Sequence, residues 1–268
     1  MKQPPTNIMQ RLRGGTAALA LSGAVCLLVA APAAADEAGA KDLLKAMSDY
    51  LVGQKAISFT YDANLEIVTS DLQKVGFASS GTLALSRPDK VRMTRTGGFA
   101  DVELAYDGRA LAAMGKNLNV FAKVETPGTI DELIDTLRSE YGLEVPAADL
   151  LSSNPYDVMM SNVTDVKDLG SGVIGGQECN HLAFRTKDTD WQIWIAQDDK
   201  PYPCRFTITS KMMAQAPSYT IEVTEWKAGE EVASDDFQLK TGDAKEVQIS
   251  AFSGLDEVPN LFGKGDAQ

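Results

Sequence analysis

From Ala56 to Leu85 apolar side chains recur at every second position. Ile57, Phe59, Tyr61, Ala63, Leu65 and Ile67 alternate with polar or small residues, which is the period of a strand with one face buried. A second run, Lys74–Leu85, follows the first. After the turn Arg87-Pro88-Asp89-Lys90 come Val91–Thr96, Val102–Tyr106, Arg109–Met114 and Asn119–Val124. Gly97-Gly98 and Asp107-Gly108 separate these runs with hairpin-turn composition. Such short connections leave no room for crossover helices, so the pattern predicts an antiparallel meander.

Helical spacing stands on either side of it. Ala40, Leu43, Leu44, Met47 and Leu51 share one face of a helix predicted over Asp36–Gln54, with Lys41, Asp42, Lys45 and Asp49 turned away. After the meander, Thr129 and Glu132 form a capping box ahead of the stripe Ile130, Leu133, Ile134, Leu137 and Tyr141. Pro146 opens a second short helix through Leu150 and Leu151, and Pro155 a third through Val158, Met159 and Met160. These helices, over about 129–161, interrupt the sheet. It resumes at Val163–Ile174 and includes Tyr219–Trp226. Ala233–Leu239 reads as a short turn or helix, Glu246–Phe252 as an edge strand, and 253–268 as a poorly ordered tail. A wide antiparallel sheet needs its apolar face covered. The expected fold is therefore mainly β with α: a curved antiparallel sheet forming a half-open β-barrel, with an N-terminal helix and a helical lid.

Within the resumed sheet, Gln177–Ser210 carries three runs, Cys179–Thr186, Trp191–Ala196 and Cys204–Thr209, separated by turns. It holds the one histidine of the chain, two of its three tryptophans, and Cys179 and Cys204. Alternation puts Leu182 and Phe184 on one face, Cys179 and His181 on the other, and Trp191 and Trp194 on opposite faces. Pairing Phe184 with Ile193 and Leu182 with Ile195 sets Cys179 opposite Asp198. Pairing Trp194 with Phe206 sets Cys204 opposite Ala196. The cysteines then lie two strands, about 9–10 Å, apart, beyond the roughly 7 Å a disulfide bridges. Both a Cys179–Cys204 bond and two buried thiols stay open at this point.

The beginning of the chain changes the compartment. Lys2, Arg11 and Arg13 precede the apolar run Ala17–Ala31 and the small residues Ala33-Ala34-Ala35, the form of a cleaved export signal over residues 1–35. The run is short of the roughly 20 residues that span a bilayer. Export to the periplasm is expected, with a single mature domain over 36–252 that is not integral to the membrane. Losing three cations takes the net charge from −12 to −15. So acidic a chain excludes nucleic acid as a partner.

Candidate chemistry is sparse. Cys179 and His181 sit two residues apart on one strand face, but no oxyanion-hole motif accompanies them. Zinc would need Cys179, His181, Cys204 and a carboxylate, without CxxC or HExxH. Asp188, Asp190, Asp198 and Asp199 lie in turns and lack a calcium loop. No phosphate loop occurs. Neither a catalytic set nor a cofactor nor a metal is expected. Met159, Met160, Met212 and Met213 are soft apolar side chains.

The segments RPDKVRMTRTGGFADVELAYDG, TIDELIDTLRSEYGLEVPAADLLSSNPY and CNHLAFRTKDTDWQIWIAQDDKPYPCRFTIT resemble a family of predicted periplasmic proteins of unknown function. That family is similar in fold to the outer-membrane lipoprotein carrier and receptor, LolA and LolB, half-open barrels with a helical lid over a cavity for acyl chains. The resemblance covers about Asp42–Leu239. It implies a periplasmic protein that holds a lipid, acyl chain or lipoprotein, with Leu133, Ile134, Leu137, Leu150, Leu151, Met159 and Trp194 expected to line the cavity. It assigns the lid-gating arginine of the carrier to no position here; Arg92 and Arg95 are the candidates. An envelope sensor that binds another periplasmic protein is the alternative, and a hydrolase built on Cys179 or His181 a remote one.

Overall fold

The structure is a computed structural model that describes residues 37–98, 101–142 and 147–254. The export signal, Pro146 and the tail from residue 255 lie outside the described residues.

One twelve-stranded sheet dominates. Its strands are β1 Ala56–Val68, β2 Lys74–Ser86, β3 Lys90–Gly97, β4 Asp101–Tyr106, β5 Ala110–Gly115, β6 Val120–Glu125, β7 Asp165–Ile174, β8 Gln177–Arg185, β9 Thr189–Ala196, β10 Pro203–Ser210, β11 Ser218–Ala228 and β12 Lys245–Glu246. Their order is β12-β6-β5-β4-β3-β2-β1-β11-β10-β9-β8-β7. The two meanders are thus zipped together through β1 and β11. Pairing is antiparallel except between β12 and β6. The sheet does not close, because β12 and β7 form its two edges. Register shifts in β1 against β11, in β7 against β8 and in β10 against β9 add local twist. They help the sheet curl into a mainly β, half-open barrel.

Helices fill the trough. α1, Glu37–Gly53, buries Ala40, Leu44, Met47 and Leu51, in one core with Leu182, Phe184, Ile193 and Ile195 of β8 and β9. Truncating one such buried leucine to alanine costs about 2–5 kcal/mol. α2, Ile130–Ser139, starts at a complete capping box between Thr129 and Glu132. Its Leu133 and Leu137 pack on Tyr106 and Leu111 in a second cluster. A 3-10 turn, Ala148–Leu151, and α3, Pro155–Met160, complete the cover.

Two segments differ from expectation. Ala233–Leu239 forms no helix. The Asp235 and Asp236 side chains accept from the Phe237 and Gln238 amides and also bind Arg92, so the chain is held against β3 in side-chain-capped turns, with Phe237 at φ 53°. Beyond it, the edge strand is two residues long and parallel, because the chain turns at once into a 3-10 segment, Ile249–Gly254.

The hairpin registers also differ. Leu182 pairs with Ile193 and Phe184 with Trp191, two residues from the expected pairing. The hairpin closes on two residues, Lys187 and Asp188, because the Thr186 hydroxyl accepts from the Asp188 and Thr189 amides. A shift of two keeps each side chain on its face. In β10 the register slips between Pro203 and Arg205. That slip places Cys204 and Arg205 on the outer face together, while Pro203 and Phe206 point inward. Cys204 then meets Cys179 in a disulfide, with Cα atoms 7.1 Å apart. The expected 9–10 Å assumed a regular strand. The bond links residues 25 apart, a separation for which chain entropy gives about 3.5 kcal/mol.

Candidate functional site

An apolar cavity of about 260 Å³ lies between the concave face of the sheet and the Ala148–Leu151 turn. Alternation supplies most of its wall. Ile57, Phe59 and Tyr61 of β1, Met93 and Arg95 of β3, and Tyr219, Ile221 and Val223 of β11 occupy successive inward positions. Leu83 of β2 and Val102 and Leu104 of β4 continue the surface, and Leu51 of α1 closes one side. Ala147, Ala148, Leu150 and Leu151 form the cover, and Phe252 of the last 3-10 segment reaches in from the far side.

One wall residue depends on a defect in the ladder. Beyond Val223 the alternation should turn residue 225 inward. Glu225 instead takes φ 50°, opposite the register shift between Ser58 and Thr60. Trp226 takes the inward place, stacking on Phe59 at 5.6 Å and on Tyr202 at 5.2 Å. Its indole N–H donates to the Tyr50 hydroxyl at 3.3 Å.

The cover is tied down by polar groups at its ends. Arg87 Nη1 donates to the Leu151 carbonyl at 3.0 Å, Arg138 Nη2 to Asp149 at 2.6 Å, and the Ser153 amide to Asp131 at 2.9 Å. Burial pushes the Arg87 guanidinium below its ordinary pKa, against the pull of Asp131. Its Nε and Nη2 are buried and find no hydrogen-bond partner among the described residues.

The expected lining residues divide. Leu150 and Leu151 face the cavity. Leu133 and Leu137 face Tyr106 and Leu111 instead, while Ile134 and Met159 are packed into the main core. Trp194 is on the outer face. It stacks on His181 at 4.0 Å and carries the Arg205 guanidinium 5.5 Å above its ring. From the whole Gln177–Ser210 stretch, Pro203 and Phe206 reach the cavity; α1 packs against β7 and β9 and shares its core with Leu182 and Phe184 of β8. No pattern in the sequence pointed to Phe252. One pointed to Trp226: an acidic Glu225 on an otherwise apolar inward row.

The reactive candidates are committed elsewhere. The Cys179 sulfur is bonded to Cys204 and offers no thiolate. His181 Nε2 lies 2.9 Å from Gln192 Oε1. Asp190 pairs with Arg185 at 2.7 Å, at the opposite end of its strand from Asp198, which accepts from the Lys200 amide. Among the described residues no three His, Cys, Asp or Glu side chains gather so as to hold a metal ion. Of the two candidate arginines, Arg95 is on the cavity wall. Arg92 is on the opposite face, bound to Glu103 and Asp235.

Residues 40–250 match the model of a family described as Predicted periplasmic protein (DUF2092). Among the described residues no helix is long and apolar enough to cross a membrane. None of the curated proteins matches. Solved structures of similar fold include the lipoprotein LppX of Mycobacterium tuberculosis, 13% identical, covering 75% of this chain and 100% of that one with a TM-score of 0.39. An uncharacterized conserved protein from Thermus thermophilus is 11% identical, covering 78% and 99% with a TM-score of 0.46. The MucA/MucB complex of Pseudomonas aeruginosa gives 13% identity, 75% and 61% coverage and a TM-score of 0.43.

Proposed function

We propose that this chain, which belongs to the DUF2092 family of predicted periplasmic proteins, is a binding protein that holds the hydrocarbon chain of a lipid or acylated molecule. The observation behind this reading is the cavity itself. Its wall is almost wholly aliphatic and aromatic, and it sits between a curved sheet and a short tied cover. Side chains around an apolar cavity lack dispersion partners on one side, and an apolar ligand supplies them. About 260 Å³ lies just below the roughly 300–1,000 Å³ of small-molecule sites, the scale of one medium-length chain rather than a multi-chain lipid. A binding role also accords with the commitment of Cys179 and His181 to structural contacts.

The test is displacement of a polarity-sensitive fluorophore, N-phenyl-1-naphthylamine, by dodecanoate. The wild-type protein should bind the dye and release it to dodecanoate. Val223→Phe, which grows into the cavity, should weaken both by about tenfold or more, a loss of at least ~1.4 kcal/mol. A variant that binds as the wild type does would place the dye elsewhere and rule the cavity out as its site.

A further inference from the structure

Three hairpin tips stand side by side at one end of the sheet. Pairing of β1 with β2 runs to Val68 and Lys74. It passes β3, which ends at Gly97 opposite Ser79, and β11, which pairs with β1 as far as Leu65. The β1–β2 ribbon therefore overhangs its neighbours. The Glu66 carboxylate accepts from the Ser218 amide at 2.9 Å, which holds the β10–β11 tip beside it. Lys211 donates from its amide to the Asp188 carbonyl at 2.9 Å and from Nζ to the Thr186 carbonyl at 2.8 Å, which brings in the β8–β9 tip. Two of the tips are apolar and exposed: Leu72 is 57% exposed, Met212 72% and Met213 55%. Leu72 also takes φ 66°, a left-handed conformation that suits glycine and disfavours a bulky side chain. Folding gains nothing from a leucine at that place, so its side chain points to a contact outside the fold.

We propose that these tips dock on the surface of a phospholipid bilayer, with Leu72, Met212 and Met213 entering it. Two observations select a bilayer. The first is charge. The three tips carry Lys74, Lys187 and Lys211 against Asp71 and Asp188, in a chain with 37 acidic and 25 basic residues. Asp71 is turned back onto the Thr69 hydroxyl, and Lys74 and Lys211 pair with Glu66 and Asp190 behind the tips. This end is the part of an acidic protein that headgroup phosphates repel least, and the exposed Lys187 attracts them. The charge of the body is screened beyond about 8 Å at physiological ionic strength. The second is continuity. Leu65 and Ile67 of β1 are in phase with Phe59 and Tyr61 of the cavity wall, and Val75 lies opposite Ile67. All three are half-buried, so an apolar track runs from the cavity to the tip. Hydrocarbon beyond the tip continues that track. The docking stands whatever the cavity holds; where the cavity holds an acyl chain, the track is the path between it and the bilayer.

Flotation of the purified protein with vesicles of phosphatidylcholine and phosphatidylglycerol tests the contact. The wild type should float with the vesicles. Leu72→Gly, which relieves the left-handed strain, should melt no lower than the wild type and yet bind more weakly. Combined with Met212→Ser and Met213→Ser, it should bind weaker by about tenfold or more. Leu118, 61% exposed in the turn between β5 and β6, supplies the control, and Leu118→Ser should float as the wild type does. A wild type that stays below the vesicles overturns the proposal, even if it captures another envelope protein. So does a triple variant that floats as the wild type does, or a Leu118→Ser that loses as much as the triple variant. None of these results touches the cavity, which dye displacement reads separately.

Discussion

Cys204 and Trp226 are placed by single irregularities in their strands. Alternation predicts which face a side chain takes only while the ladder is regular. Cys204 would otherwise be out of reach of Cys179, and Trp226 would point away from the cavity. Neither bulge follows from hydrophobic period, since a bulge adds a residue without a composition signal of its own. The acidic Glu225 on an apolar row is a partial exception. The Arg92–Asp235 pair was not legible either, because the two residues are 143 apart in sequence. Burial alone would raise the Asp235 carboxyl, but Arg92 and the Phe237 amide outweigh it and hold the pKa below the ordinary value. The native state therefore binds its proton less readily than the unfolded chain. This contribution to stability is present above the ordinary aspartate pKa of about 3.9 and is lost as pH falls below it. Asp235→Asn should lower stability near pH 7 and flatten the decline between about pH 5 and 3. Urea denaturation across that range checks it, and two parallel pH profiles would refute it.

At the scale of elements the sequence was far more legible. The long alternation of β1, the stripe of α1 and the capping box of α2 each place an element from a few residues. Local signals sufficed because period, cap and turn residues act within a few positions. Hairpin register was less legible, since a two-residue and a four-residue turn both suit the sequence around Lys187 and Asp188, and a hydroxyl decides between them. One close contact between elements shows how tightly β1, β2 and β3 hold the cavity wall. A Cβ on Gly81 would lie 2.0 Å from the Thr94 carbonyl oxygen and 2.6 Å from the Tyr61 ring. Gly81→Ala must therefore displace β3 or Tyr61, at a cost of about 1–3 kcal/mol. Gly53→Ala, where nothing lies within 4 Å, should be near neutral. Thermal melting of the two variants compares them, and equal melting temperatures would show that the strands part more easily than this packing implies.

For the whole molecule, the half-open β architecture was readable before the location of its cavity was. The sequence shows that the helices must cover the sheet, but not which strands each one covers. α1 takes the β7–β9 side, α2 the β3–β5 side, and the space remaining over β1–β4, β10 and β11 is the cavity. That division explains why Leu150 and Leu151 face it while Leu133, Leu137 and Met159 do not. If this space holds a hydrocarbon chain, the protein purified from its own envelope should carry one, and native mass spectrometry would reveal it. The expected spectrum shows a mass increment of one single-chain lipid per protein, much reduced in Val223→Phe. A wild-type protein that carries no adduct, and gains none when incubated with dodecanoate, would show that the cavity is not a lipid site.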